Sequence, residues 1–439
     1  MIRSDRASQL PPARRAAPVA DGRPRRVWRR LGIGAVALVV AVVLALGVFL
    51  FSVYQGVHRS SALGADAQVS MNGPVDMLIM GLDSRLDENG KPLPEDIYNA
   101  LHAGEASTGG LNSNVLMYVH IPADGSAASV FSIPRDDYVD IPGCPDGVCK
   151  AKIKEAYGLA FDASQRALAR QGKTGDDAYQ KSRDAGRSAE IATVNQFLGV
   201  RINHFTEVTM VAFFQIAQVV QPVTVCVKQD TQDSYSGANF HAGKQQINAQ
   251  QAVAFVRQRR DNVHPQLEFT DLDRSRRQQA FLVSLFNQLK QANTFLNPAK
   301  LSGIIGVAKQ NLVIDSGLNP LSLAPIAANL SGTKLHFYTL PVERFGTDPS
   351  GQSVNIVDPT AVRQTVQRLL NPPPPSTPTP TPTPSPTSSA SRTTTKKHPT
   401  TPTPSAVAPT PVDATGGGTA GPAPTALTDL SGAGVACVK

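Results

Sequence analysis

The amino-acid sequence predicts an α/β domain carried behind one transmembrane helix. Three observations predict it. An uncharged apolar stretch directly follows a run of arginines. A long middle part alternates apolar runs with amphipathic stretches. Beyond residue 370 the composition turns abruptly to Pro and Thr. Residues 73–370 of the 439 are therefore the expected folded domain.

The ends explain the charge. Residues 1–30 carry nine Arg and two Asp, which accounts for +7 of the formal +8. The remainder is nearly neutral, so the high pI reports a basic arm and not a nucleic-acid-binding domain. Residues 31–53 are 23 uncharged positions, enough to cross the roughly 30 Å hydrocarbon core as a helix. Arg25, Arg26, Arg29 and Arg30 precede that span and should stay cytoplasmic. The expected location is thus the cell membrane, single-pass, with a cytoplasmic N-terminus and an extracellular C-terminal domain. A cleaved signal peptide would have a shorter apolar core ending in a small-residue site. Residues 54–72 are expected to form a polar stalk.

Four cysteines facing an oxidising space allow three connectivities. Cys144 and Cys149 bracket the turn-forming Pro-Asp-Gly-Val, which favours a local bridge and leaves Cys226 to Cys437. No Cys-x-x-Cys pair supports zinc. Sixteen of the 35 prolines fall in residues 371–439, so this stretch is expected to be an extended, disordered tail. Its last residues, from Ala433, include Cys437 and could dock back on the domain.

Polar residues gather at the ends of apolar strands. Strands are expected over 75–80, 115–121 and 129–133, the last two as an antiparallel hairpin around Pro-Ala-Asp-Gly. In such a hairpin Asn114 and Arg135 become neighbours. If the first strand pairs antiparallel with the second, Asp83 and Arg85 join them at the same sheet edge. Each residue alone could begin a surface turn; their shared edge argues for a site.

A second cluster lies downstream. Asn248 is placed to cap a helix running to about 257, which ends in Arg257-Gln-Arg259-Arg260. Thr270 or Asp271 caps a longer helix to about 291, with Phe281, Leu282, Leu285, Phe286 and Leu289 as its buried stripe. Extended backwards, that stripe reaches Arg274 and Gln278. An inward guanidinium needs an anion: Asp271, Asp273 or Glu268 in the bland case, a phosphate in the sharper one. Lys152 and Lys154 add charge, although alone they read as surface lysines. Arg85, Arg135, Lys152, Arg257, Arg259 and Arg274 together could neutralise a pyrophosphate, with Asp83 holding a divalent cation or accepting a proton. The apolar run 208–220, with Phe213 and Phe214, is a core helix or the lining of an isoprenoid slot.

These residues fall in a recognisable order. Met77-Leu-Ile-Met-Gly-Leu-Asp83-Ser-Arg85, Ser113-Asn114-Val-Leu-Met-Tyr-Val, Ser132-Ile-Pro-Arg135-Asp136 and Lys152-Ile-Lys-Glu-Ala-Tyr157 lead. Phe255-Val-Arg257-Gln-Arg259-Arg-Asp261 and Asp273-Arg274-Ser-Arg-Arg277-Gln278 follow. Together they resemble the successive signatures of the LytR-CpsA-Psr family over roughly residues 73–370. The resemblance implies a mixed central β-sheet flanked by helices and enclosing a hydrophobic pocket for a polyprenyl chain. It implies transfer of a phosphoglycosyl polymer from a polyprenyl-pyrophosphate carrier onto peptidoglycan, assisted by Mg2+ (or Mn2+). By motif position, Asp83 and Arg135 are the catalytic candidates and Asp83 and Asn114 the metal ligands. Arg85, Arg135, Lys152, Arg257, Arg259, Arg274 and Gln278 would hold the pyrophosphate.

One position departs from the family pattern. Asn114 stands where an Asp is usual, so the amide brings an oxygen but no charge. That keeps open a polyprenyl-pyrophosphate-binding protein or pyrophosphatase with weakened transferase chemistry. A transcription regulator is disfavoured because the basic arm lacks a helix-turn-helix pattern. Gly237 to Lys244 imitates a P-loop with a spacing one residue too long, and Gln245 replaces its hydroxyl residue.

Overall fold

The computed structural model describes residues 56–64, 73–101, 110–291, 297–319, 335–371 and 435–439. The chain splits into Met1–Gly56 and the compact unit Val57–Lys439, to which all the strands and helices below belong. The basic arm, the predicted span 31–53 and residues 372–434 lie outside the described residues. Among the described residues no helix is long and apolar enough to cross a membrane.

A seven-stranded mixed sheet is the centre. Its strands are β1 (His58–Ser60), β2 (Val75–Leu82), β3 (Ser113–Ile121), β4 (Ala128–Ile133), β5 (His204–Thr209), β6 (Leu312–Asp315) and β7 (Leu335–Thr339). Across the sheet the order is β1-β6-β5-β2-β3-β4-β7. The β2–β3, β3–β4 and β5–β6 pairs are antiparallel, and β1–β6, β2–β5 and β4–β7 are parallel.

Period-2 alternation sends side chains to two helical layers. Leu78, Met80, Leu116, Tyr118, Phe131 and Ile133 pack with Ile191, Val194 and Phe197 of helix Asp176–Leu198 and Val362 and Val366 of helix Pro359–Leu370. Ile79, Met117, Val119 and Val130 pack on the other face with Phe214, Val253, Phe255, Phe281 and Val283. These come from helices Met210–Val220, Ala249–Arg257 and Asp271–Gln291.

Two domain boundaries move. Part of the expected stalk is an edge strand: β1 pairs with β6, and Ser188 Oγ donates to the Ala62 carbonyl at 2.6 Å. The end of the expected tail is folded as well. Cys437–Val438 adds a parallel strand beside Val223–Val227, and Cys226, bonded to Cys437, sits opposite it in the register. Arg277 Nε donates to the Lys439 carbonyl at 2.8 Å, which ties this segment to the long helix. Cys144 is bonded to Cys149.

The run 208–220 is not one element. Thr209 ends β5 and caps helix Met210–Val220 by accepting from the Ala212 N–H.

Candidate functional site

Strand register assembles the first half of the site. Leu82 lies opposite Ser113 and Thr209, and Leu116 opposite Ile133. The ends of β2, β4 and β5 and the start of β3 therefore share one sheet edge, which brings Asp83, Asn114 and Arg135 together. Asn114 is the extra residue of a bulge, since Gly81 faces Val115 while Leu82 faces Ser113. Bulges commonly re-aim a side chain in this way. A Cβ on Gly81 would lie 2.8 Å from the Val115 Cβ, so the close approach beside the bulge requires glycine. Asn114 Nδ2 donates to Asp83 Oδ2 at 2.7 Å, and Arg85 Nη1 is 3.9 Å from Asp83 Oδ1.

The second half comes from two helices. Asn248 and Gln251 form a capping box at the start of Ala249–Arg257, which delivers Arg257 in the last turn. Arg257 Nη1 donates to the Leu101 carbonyl. Arg274 and Gln278 project from the first turns of Asp271–Gln291, and Gln278 Nε2 donates to the Val256 carbonyl at 3.3 Å. Arg274 finds the bland partner: its Nη2 is 2.6 Å from Asp271 Oδ1. The fork is nevertheless incomplete. Arg274 Nε and Arg135 Nε are buried without a hydrogen-bond partner, although Arg135 lies 3.5 Å from both Asp136 and Asp271.

Between these elements opens a cavity of about 560 Å³. Ile79, Val115, Met117, Met210, Phe213, Phe281 and Leu282 form its apolar part. Phe213 of the expected slot is in the lining, whereas Phe214 turns into the core. Asp83, Arg85, Asn114, Arg135, Arg257, Arg259, Arg274 and Gln278 all line the cavity. Lys152 is not among the lining residues: its ammonium donates to Gln352 at 3.1 Å. Lys154, two residues on, takes that place and pairs with Asp136 at 2.7 Å. A continuous strand would turn Lys152 and Lys154 to one face, but strand Lys150–Lys152 ends at the first and Lys154 lies in the turn that caps helix Glu155–Arg170, a break the spacing alone did not reveal. Sequence reasoning also missed Asp233 and Tyr235 in the wall.

Seven cationic side chains stand in the lining against two carboxylates, Asp83 and Asp233. Burial lowers Arg274 to about 10, with Asp271 opposing and Arg135 adding to the shift. Arg257 is lowered by burial, against the pull of Asp83 and helped by Arg85 and Arg259. Lys154 is lowered by burial and by Arg135. Asp136 is held below the usual carboxylate range, because Arg135 and Lys154 outweigh its burial. Cations that depress one another in a half-dry cavity are stabilised when an anion enters. An apolar chamber rimmed by such cations suits an amphiphile with a multivalent anionic head.

The same residues offer little to a divalent ion on their own. Among the described residues no three His, Cys, Asp or Glu side chains gather to hold a metal. Asp83 gives one carboxylate, and the Asn114 amide presents its nitrogen to it. Asp136 and Asp271 are engaged by Lys154 and Arg274. This set fits an ion of the Mg2+ type that takes one protein carboxylate and its other ligands from phosphates and water.

Beneath the site lies a buried charge cluster. Arg183 and Arg187 of helix Asp176–Leu198 bond Glu207 on β5 and Glu88 in the segment that follows Asp83. Tyr157 Oη donates to Glu207 Oε2 at 2.9 Å. Burial works to raise Glu207, yet the two guanidinium groups hold it low. Glu190 has no such partner. It is fully buried, accepts the Tyr157 N–H at 3.1 Å, and burial pushes it up to about 8.

Glu190 carries a pH prediction. The folded state keeps a proton that the unfolded state releases near 4.5, so stability falls as pH rises from about 4.5 to 8. Glu190→Gln removes that slope. The variant should gain on the parent by a few kcal/mol between pH 5 and 8.5, on the linkage scale of about 1.4 kcal/mol per unit. Thermal melts at the two pH values check it; equal slopes would reject a neutral Glu190.

Comparison with known proteins places this architecture. A family model described as "LytR_cpsA_psr family" matches residues 49–371. The chain is 34% identical over 345 residues to the Corynebacterium glutamicum "Cell wall biosynthesis protein LcpA", covering 77% of this chain and 64% of that protein. It is 24% identical over 234 residues to the Bacillus mycoides "Polyisoprenyl-teichoic acid--peptidoglycan teichoic acid transferase TagU", covering 50% of this chain and 60% of that one. The crystal structure of Bacillus subtilis TagV aligns with a TM-score of 0.46 at 22% identity, covering 69% of this chain and 99% of TagV. The chain thus spans a little under two thirds of the length of the curated relatives it matches. With the family model covering most of the folded unit, the chain belongs to the LytR-CpsA-Psr family.

Proposed function

We propose that this protein is a phosphotransferase that moves a polyprenyl-pyrophosphate-linked glycopolymer onto peptidoglycan. The observation that carries the reading is the cationic rim, with Arg135 Nε and Arg274 Nε buried without a hydrogen bond, over a largely apolar cavity of about 560 Å³. The isoprenoid would occupy the chamber lined by Met117, Phe213 and Phe281. Its pyrophosphate would meet Arg85, Arg135, Lys154, Arg257, Arg259 and Arg274, with Gln278 at the edge.

In this reaction an acceptor hydroxyl of peptidoglycan attacks the phosphorus that bears the glycan. The bond from that phosphorus to the bridging oxygen breaks, polyprenyl phosphate leaves and a phosphodiester remains. The hydroxyl proton passes to Asp83, whose carboxylate lies at the sheet edge beside the arginines. Arg135 and Arg274 neutralise charge on the phosphoryl oxygens as it moves to the leaving phosphate. A Mg2+ or Mn2+ ion held by Asp83 would supply further neutralisation when bound. Residues 31–53 would anchor the protein in the cytoplasmic membrane with this domain outside, where the carrier and the wall are accessible.

Asp83→Ala and Arg257→Ala, expressed in a strain depleted of the protein, should each lower wall-linked polymer by at least about 10²-fold, the scale of a lost electrostatic contact. Their melting temperatures should stay near the parent's. Full restoration of attachment by both variants rejects the reading. Asn114 favours one second reading, a pyrophosphatase; release of polyprenyl phosphate without any wall linkage would identify it.

A further inference from the structure

One aromatic ring in the cavity wall is unused by this chemistry. Tyr235 sits in the turn between strands Thr231–Asp233 and Ala238–Phe240 and is 69% exposed, between the buried Asp233 and Ser236. Val263 is the only other large apolar side chain so exposed among the described residues.

The turn that presents it is rigid. The Tyr235 N–H donates to Asp233 Oδ1 at 3.1 Å, and Ser236 Oγ to Asp233 Oδ2 at 2.7 Å. Ser234 N–H donates to Asn262 Oδ1 at 2.9 Å, and Asn262 Nδ2 returns to Ser234 Oγ at 3.2 Å. Asp233 and Ser236 are buried, and Tyr235 is the large side chain that the turn leaves exposed. Arg260 places its guanidinium 4.5 Å from the ring centroid, which fixes the ring's orientation. Arg260 is the chain neighbour of Arg259, and Tyr235, Ser236, Arg259 and Arg260 all line the cavity.

We propose that Tyr235, with Arg260, is a saccharide platform: a sugar ring packs its C–H face on the phenol while Arg260 donates to its hydroxyls. An exposed flat ring beside polar donors matches the alternation of apolar C–H faces and hydroxyl edges on a pyranose. A prenyl chain would instead prefer the enclosed chamber, where it leaves water entirely. The inference rests on the pyrophosphate lying at the arginines. The sugar concerned is either the one on the donor phosphate or one of the acceptor strand.

The test uses the full chain in detergent with three probes: farnesyl diphosphate, farnesyl diphosphate bearing one hexose, and a soluble peptidoglycan fragment. Tyr235→Ala should weaken binding of the hexose-bearing probe or of the peptidoglycan fragment roughly ten-fold, the scale of one lost aromatic contact. Binding of farnesyl diphosphate should not change, and Tyr235→Trp should restore affinity. A loss confined to the hexose-bearing probe assigns the platform to the donor, and one confined to the fragment assigns it to the acceptor. Unchanged affinity for both sugars, or an equal loss on farnesyl diphosphate, overturns the platform while leaving the pyrophosphate site intact. Failure of the parent protein to bind farnesyl diphosphate at all would instead remove the pyrophosphate reading on which the platform rests.

Discussion

Glu207→Ala should lower the melting temperature by about 10 °C. In the folded protein Glu207 accepts from Arg183, Arg187 and Tyr157 in a place that water does not reach. Removing it leaves two buried guanidinium groups with Glu88 as their remaining deeply buried acid; Asp184, which also bonds Arg187, is half-exposed. Breaking one partner out of such a cluster typically costs 3–5 kcal/mol, because a charge stays behind in a dry interior. For a domain of this size each kcal/mol is worth roughly 2–4 °C. Glu88 lies five residues beyond Asp83, so any surviving fold should also lose order in the Asp83–Arg85 segment. Glu207→Gln keeps the acceptor and should fall between the two. A melt within 2 °C of the parent for Glu207→Ala would mean that water enters the cluster.

Arg135→Ala should cut turnover by about 10²–10³, the range found when a preorganised donor to a developing negative charge is deleted. Arg135 is 7% exposed, follows β4 at the shared edge, and stands 3.5 Å from Asp136 and Asp271. Both acids keep a second cation, Lys154 for Asp136 and Arg274 for Asp271. The stability cost should therefore be smaller than for Glu207. Carrier affinity should change less than turnover, because the other rim cations still hold the ground-state pyrophosphate. Arg135→Lys keeps the charge but not the planar fork, and should recover only part of the rate. Steady-state rates with saturating carrier check this; an unchanged turnover number would take Arg135 out of the chemistry.

Much of this was written along the chain. The apolar runs at 75–80, 115–121 and 129–133 gave three strands, and the Pro-Ala-Asp-Gly turn gave the pairing of the last two. That hairpin carried Asn114 and Arg135 to one edge as a local consequence of its turn, whereas Asp83 joined them through the pairing of β2 with β3 across a long connection. Asn248 marked its helix start, and the phase of Phe281 and Leu285 told which way Arg274 and Gln278 face. Tertiary packing decided the rest. It chose Lys154 over Lys152, folded residues 58–60 and 437–438 into sheets, and joined Glu88 to Arg183, Arg187 and Glu207. Periodicity records only whether a side chain turns inward. Which group from a distant stretch meets it there depends on how separate layers stack, and a buried charge has no local signature that names its partner.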